Sequence, residues 1–298
     1  MRDITIPALD GLPLRASLFE PDGNAKAAVI ISGATAVPRG YYGSLARHLV
    51  TAGAAVVTYD YRGSGETPAQ LRRSDARMRD WGERDTPGVI AWLRARYPDV
   101  PLYLVGHSYG GHALLLAPNN HEVSRAVTIA SGLGYWGTCA PSERYRVYAL
   151  MKFIVPAGIA LCGYSPGSRI GFGEDLAPGV AREWRKWVLD PRYFLDDPTL
   201  TSLRNGANYH GSLLMLAPSD DLWITLDDVR GLATAFTGTQ PDVRALVPAA
   251  CGVDAIAHMG FFRSVNSPAW RVLAEAFALQ GDDDGHAAHL RVHVERPA

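Results

Sequence analysis

Gly106-His107-Ser108-Tyr109-Gly110 is the stretch on which the fold turns. It fits G-x-S-x-G, the pattern of a nucleophile elbow. Just upstream, Pro101-Leu102-Tyr103-Leu104-Val105 is short, apolar and β-rich, and reads as a buried strand. Just downstream, Gly111-His112-Ala113-Leu114-Leu115-Leu116 is rich in helix formers. The pattern thus sits in a strand–turn–helix context. Its glycines answer crowding, because a sharp turn brings the flanking positions too near neighbouring backbone to carry a Cβ. The apical serine is expected in a strained conformation, with Oγ projecting from the C-terminal edge of a sheet. In a chain with 30 glycines the pentapeptide alone also fits an ordinary strand-to-helix connection with a capping serine, so the flanking sequence has to decide.

Outward from the elbow, strands alternate with helices. Ile4-Thr5-Ile6 and Leu12 to Phe19 alternate around the turn Asp10-Gly11 and predict an N-terminal hairpin on a sheet edge. Ala27 to Ile31 and Ala54 to Tyr59 are continuous apolar runs, as strands covered on both faces should be. Between them, Tyr41 to Ala52 has helical spacing and stops at Gly53, a C′ signal. A second helix is expected near Glu83 to Arg96, and a strand at Arg125 to Ser131. This rhythm means βαβ units and a mostly parallel sheet. From about Gly134 it breaks. Residues 135–205 are rich in Trp, Tyr, Arg, Gly and Pro, with a helix over Arg144 to Leu161 interrupted at Pro156 and another over Pro178 to Leu189. The rhythm resumes with a strand at Ser212 to Ala217, a helix opened by the capping box Thr225-x-x-Asp228, a strand at Val243 to Val247 and a last helix from Ser267, capped by Asn266 or Ser267, to Leu279. The expected organisation is an α/β core from 1–134 and 206–280, a cap or lid insertion at 135–205, and a polar, poorly ordered tail at 281–298.

Composition bounds the function. Of 298 residues, 47% are hydrophobic, enough to bury a large core. Lys+Arg 29 against Asp+Glu 30 leaves a net charge of −1, which argues against nucleic acid or an anionic membrane as main partner. The cluster Arg72, Arg73, Arg77, Arg79 is broken by Asp75 and Asp80 and reads as a solvated loop or helix face rather than an anion site. Cys139, Cys162 and Cys251 are too few and too widely spaced for a disulfide framework, which suits a reducing cytoplasm. The N-terminus lacks a signal-peptide stretch, and the most apolar run, Phe153 to Cys162, falls short of the roughly 20 residues that span a bilayer. A soluble, cytoplasmic protein is expected. His286-x-x-His289-x-x-x-His293 has helical spacing for metal ligands but lies in an Ala-rich polar tail, and no metal is assigned to it.

A serine hydroxyl needs a base within reach, and the base needs a group to fix its tautomer. On a sheet of this kind the order is serine, acid, histidine. After the strand ending at Ala217 come Asp220 and Asp221, on the turn that leaves the sheet. Asp221 is favoured as the acid, with Asp220 the alternative. Of nine histidines, those beyond the acid are His258, His286, His289 and His293; His258 alone stands in an apolar loop after the last strand, the others in the tail. The developing oxyanion needs N–H donors. Tyr109, after the nucleophile, is one; Ala34, after Gly33, is the other, with Thr35 second. Trp136, Trp184 and Trp187 either line a substrate pocket or pack the lid.

With these residues assembled, the chain resembles the α/β-hydrolase superfamily, specifically its esterase- and lipase-like serine hydrolases with a cap between the sixth strand and the acid strand. The resemblance covers about residues 1–280. It rests on Ser32-Gly33, Asp60-Tyr61-Arg62-Gly63-Ser64-Gly65 with Thr67, the elbow, Asp220-Asp221 and His258. Two positions depart from the family pattern: Ser32-Gly33 replaces His-Gly, and no glycine precedes the aspartates. The resemblance implies cleavage of a carboxylic ester or related acyl bond through an acyl-enzyme on Ser108, with His258 as base and Asp221 orienting it. No cofactor is expected, and the partner is a small, partly apolar acyl substrate. Acyl transfer, thioester cleavage and amide cleavage by the same residues stay open, as does a non-catalytic ligand-binding role. Oligomeric state is not indicated.

Overall fold

A computed structural model of the chain describes residues 1–279. The polar tail, with His286, His289 and His293, lies outside the described residues. Eight strands form one sheet in the order β1-β2-β4-β3-β5-β6-β7-β8. They are β1 (Arg2–Pro7), β2 (Pro13–Phe19), β3 (Ala27–Ser32), β4 (Ala54–Tyr59), β5 (Leu102–His107), β6 (Arg125–Ile129), β7 (Ser212–Pro218) and β8 (Asp242–Leu246). β1 and β2 form the antiparallel edge hairpin and β2 runs antiparallel to β4; every other pairing is parallel. β3, β4 and β5 are buried along their whole length, which is why their sequences are apolar without alternation. β5 is flanked by β3 and β6, so the elbow stands at a central strand's C-terminal end.

The helices are α1 (Gly43–Thr51), α2 (Pro68–Arg73), α3 (Met78–Asp80), α4 (Thr86–Arg96), α5 (Tyr109–Leu116), α6 (Pro141–Ala149), α7 (Val155–Cys162), α8 (Pro178–Val188), α9 (Leu226–Ala233) and α10 (Arg271–Phe277). They divide the apolar side chains between two clusters. One holds α4, α5 and the 139–200 segment; the other holds α1, α10 and the loop before α10. Gly53 follows α1 with φ +86°, the left-handed C′ residue expected there. The Thr225–Asp228 capping box opens α9, with Asp228 N–H donating to Thr225 Oγ1 at 3.2 Å.

Three expectations are corrected. Residues 81–85 form a π-helical turn ahead of α4, so the helix expected from near Glu83 is α-helical only from Thr86. The helix over 141–162 is not broken at Pro156. A π-helical turn at Leu150–Ile154 joins α6 to α7, and Pro156, which has no N–H to donate, stands just after it, while the Met151 carbonyl one turn back accepts from Arg185 Nε at 2.7 Å. The resulting 22 residues are long and apolar enough to cross a membrane by length and composition, but Val147, Leu150, Met151, Val155 and Ile159 pack into the core. Finally, residues 264–270 are a 3₁₀ segment, so α10 starts at Arg271 and Asn266 does not cap it.

Residues 130–211, between β6 and β7, contribute helices and loops but no strand to the sheet. Arg79, read from sequence as solvated, instead ties this segment to the core. Its N–H and Nε donate to Glu183 at 2.8 and 2.6 Å, and its guanidinium to the Thr199 carbonyl at 2.7 Å. Asp197, buried beside it, accepts from the Trp187 indole at 3.0 Å. Removing one partner of a largely buried pair strands the other charge. Arg79→Met is therefore expected to cost about 3 kcal/mol in urea denaturation, while Arg72→Met, at a side chain whose Nε bonds the Cys162 carbonyl from an exposed position, costs far less.

Candidate active site

The elbow is strained at its apex. Ser108 has φ +50° and ψ −110°, a region that costs a non-glycine residue of order 1–3 kcal/mol. Its N–H donates to the Ile129 carbonyl of β6 at 2.9 Å, which pins the apex to the sheet. A Cβ at Gly110 would be driven into the Ser32 carbonyl of β3, which explains the glycine two residues on.

Ser108 Oγ lies 3.2 Å from His258 Nε2, and His258 Nδ1 lies 2.7 Å from Asp221 Oδ2. An ionised carboxylate only accepts, so Nδ1 carries the proton and Nε2 offers its lone pair to the serine hydroxyl. The two aspartates divide the work between them. Asp221 Oδ1 accepts from the backbone N–H of Trp223 (2.8 Å) and Ile224 (3.3 Å), which turns its other oxygen toward His258. Asp220 points the other way and accepts from the N–H groups of Ile256 (2.8 Å) and Ala257 (2.9 Å), holding the loop that carries His258. Asn266 holds the same loop from behind, donating to the carbonyls of Ala255 (2.8 Å) and Gly260 (3.0 Å), and Tyr41 Oη donates to that of Met259 at 2.6 Å. The loop needs such anchors, since Ala257 has φ +49°.

The expected oxyanion donors fare differently. Tyr109 begins α5, where a backbone N–H has no intrahelical acceptor, and it borders the cleft. The Ala34 N–H instead donates to the buried Tyr42 hydroxyl at 2.8 Å. Ala34 and Thr35, the second choice, both border the cleft, and of the two it is the Ala34 N–H that a side chain engages.

Ser108 and His258 open into a cavity of about 940 Å³ whose lining includes Val147, Met151, Phe172, Trp184 and Trp223. Trp223 stacks on the His258 ring (centroids 5.7 Å apart, planes 28° apart), and Phe172 stacks on Trp223 at 5.4 Å. The aromatic residues of the 135–205 segment thus separate: Trp184 lines the cavity, while Trp187 is fully buried and Trp136 packs on Tyr148. Among the described residues no cluster of three or more His, Cys, Asp or Glu is arranged to hold a metal, and the three cysteines are free.

Sequence reasoning missed the supports of the site. Asn266 looked like a helix cap and Tyr41 like an apolar position of a helix, and nothing in the local pattern signals that Tyr41 reaches Met259 or Tyr42 reaches His107, 218 and 65 residues away. Asp220 carried a signal, a second aspartate at a strand end, but not its role.

A mostly parallel sheet with an antiparallel edge hairpin, a strained serine after its central strand, and a helical segment between β6 and β7 define an α/β-hydrolase fold. The comparisons agree. The family model described as "alpha/beta hydrolase fold" matches residues 27–158. A monoglyceride lipase homolog of Monkeypox virus is 29% identical over 128 residues, 42% of this chain and 45% of that protein. The monoglyceride lipase of Mus musculus is 31% identical over 108 residues, 36% of this chain and 35% of that enzyme. The matched stretch therefore spans less than half of either relative. Among solved structures, an esterase of Pyrococcus furiosus superposes with a TM-score of 0.57 at 13% identity, over 93% of this chain and 91% of its own. A monoacylglycerol lipase of Paleococcus ferrophilus does so with 0.54 at 13% identity, over 90% and 100%. These two likenesses show the fold. The chain has the α/β-hydrolase fold, and over the matched stretch it is similar to monoglyceride lipases.

Proposed function

We propose that the protein is a serine hydrolase that cleaves a carboxylic ester through an acyl-enzyme on Ser108. One observation carries this reading: Asp221, His258 and Ser108 form an unbroken hydrogen-bonded run at the floor of a largely apolar cavity. Ser108 Oγ attacks the ester carbonyl as its proton passes to His258 Nε2, and the oxyanion that forms is met by the N–H groups of Tyr109 and Thr35. The C–O bond to the alcohol then breaks, and His258 returns the proton to the leaving oxygen. Water, deprotonated by the same nitrogen, attacks the acyl-enzyme and frees the acid and Ser108. Asp221 holds the productive tautomer throughout and stabilises the imidazolium.

The apolar wall of Val147, Met151 and Phe172 favours an acyl chain over a polar acyl group. The names of the relatives make a monoglyceride the natural first substrate to try beside synthetic esters. Each methylene buried is worth about 0.8 kcal/mol, or up to about fourfold in kcat/KM. A p-nitrophenyl ester series from acetate upward is therefore expected to rise in kcat/KM with chain length until the cavity is filled. A flat series would contradict the apolar acyl site. Thioesters and anilides of the best acyl group, run alongside, separate ester cleavage from the other acyl chemistries.

A further inference from the structure

We propose that Tyr42 and His107 are positioning residues that set where His258 stands relative to Ser108, through a buried run of three hydrogen bonds behind the site. The Ala34 N–H donates to Tyr42 Oη (2.8 Å), Tyr42 Oη faces His107 Nδ1 (2.9 Å), and His107 Nε2 faces the backbone carbonyl of His258 (2.9 Å). Every proton in this run is assigned by chemistry. An amide N–H at one end can only donate, and a carbonyl at the other can only accept. Tyr42 therefore accepts from Ala34 and donates to Nδ1, and His107 carries its proton on Nε2 and donates it to His258. Burial holds the His107 imidazole neutral, with its pKa pushed down to about 3, chiefly by desolvation and then by His258 nearby. The single tautomer thus persists at any working pH.

The run is placed to position and not to bind. Tyr42 and His107 are 1% and 0% exposed, and neither lines the cavity. Both rings are held edge-on or tilted against Phe262, at 5.0 and 4.5 Å, so the donors are fixed in place. His107 directly precedes Ser108, so one stretch of backbone carries the hydroxyl and also fixes the carbonyl of the residue that must reach it. On the far side Asp220 grips the N–H groups of Ile256 and Ala257. His258 is clamped between them, and the 3.2 Å from Nε2 to Oγ is what the clamp determines. The same run commits the Ala34 N–H, so the loop after β3 and the histidine loop are set by one device.

The proposal rests on the reading of Ser108 as nucleophile and His258 as base. Its test uses the full chain and a p-nitrophenyl ester, with kcat expressed per site titrated by a fluorophosphonate. Misplacing a reacting group by about 1 Å costs on the order of 100-fold. Tyr42→Phe, which leaves His107 Nδ1 and the Ala34 N–H without partners, is expected to lower kcat by about 10- to 100-fold with KM within about twofold. His107→Leu, which removes the donor to His258, should do the same. His107→Gln returns an N–H at the place of Nε2 and should hold kcat within about threefold of wild type. A role in folding alone would lower the number of titratable sites and leave kcat per site unchanged in every variant; that result, or a Gln variant as slow as Leu, overturns the proposal. If His107→Leu does not fold, Tyr42→Phe against His107→Gln still decides. Failure of the underlying reading looks different, since wild-type protein would then take up no fluorophosphonate at all.

Discussion

Replacing Ser108 by alanine is expected to lower ester turnover by about 10⁵- to 10⁶-fold, a loss of about 7–8 kcal/mol of transition-state stabilisation. The substitution deletes one oxygen. It leaves the Tyr109 and Thr35 N–H groups, the cavity wall and the stacked Trp223 in place, so the residual rate measures what binding and oxyanion donors achieve alone. The strained backbone at φ +50° is shared by serine and alanine, and the N–H bond to Ile129 is backbone. The melting temperature is therefore expected to stay within a few degrees of wild type. Loss of turnover in a folded protein locates the chemistry at Oγ; turnover that survives would place it elsewhere.

The second large effect separates the two aspartates. In Asp221→Asn, the side-chain oxygen has to face the Trp223 and Ile224 N–H groups, because an amide nitrogen there would meet two donors. The amide nitrogen then faces His258 Nδ1 and donates to it. The imidazole proton is forced onto Nε2, toward Ser108, where a lone pair is required. The expected loss in kcat is about 10⁴-fold, with stability little changed. Asp220→Asn acts by a different route. One of its two oxygens becomes a donor pointed at the N–H of Ile256 or Ala257. That repulsion is expected to cost about 1–3 kcal/mol of stability and, through displacement of the His258 loop, on the order of 100-fold in kcat. Paired kcat and urea-denaturation measurements read both quantities. The reverse ordering of the two variants in kcat would exchange their roles.

The sheet was legible because fully buried parallel strands have a signature that little else produces. β3, β4 and β5 read as apolar runs bounded by turns, and the structure places each within a residue or two of the sequence expectation. The order of Ser108, Asp220-Asp221 and His258 along the chain was legible for the same reason, since each follows a strand and all gather at one edge of the sheet. What the sequence did not reveal depends on tertiary contacts. Pro156 looked like a helix breaker because the π-helical turn that accommodates it has no local signal. Arg79 looked solvated because Glu183 and Thr199, which enclose it, lie more than 100 residues away. The bond from the N–H of Ala34, the expected oxyanion donor, to the Tyr42 hydroxyl was not legible either, because no spacing encodes the direction of that hydroxyl.

The central claim is that Ser108 is an activated nucleophile, and the most direct measurement is where a serine-directed electrophile attaches. Wild-type protein treated with a fluorophosphonate and digested should carry one adduct, on the peptide containing Gly106 to Gly110, with fragment ions that place it on Ser108. Folded protein that takes up no label, or that carries the adduct on another residue, would contradict the account.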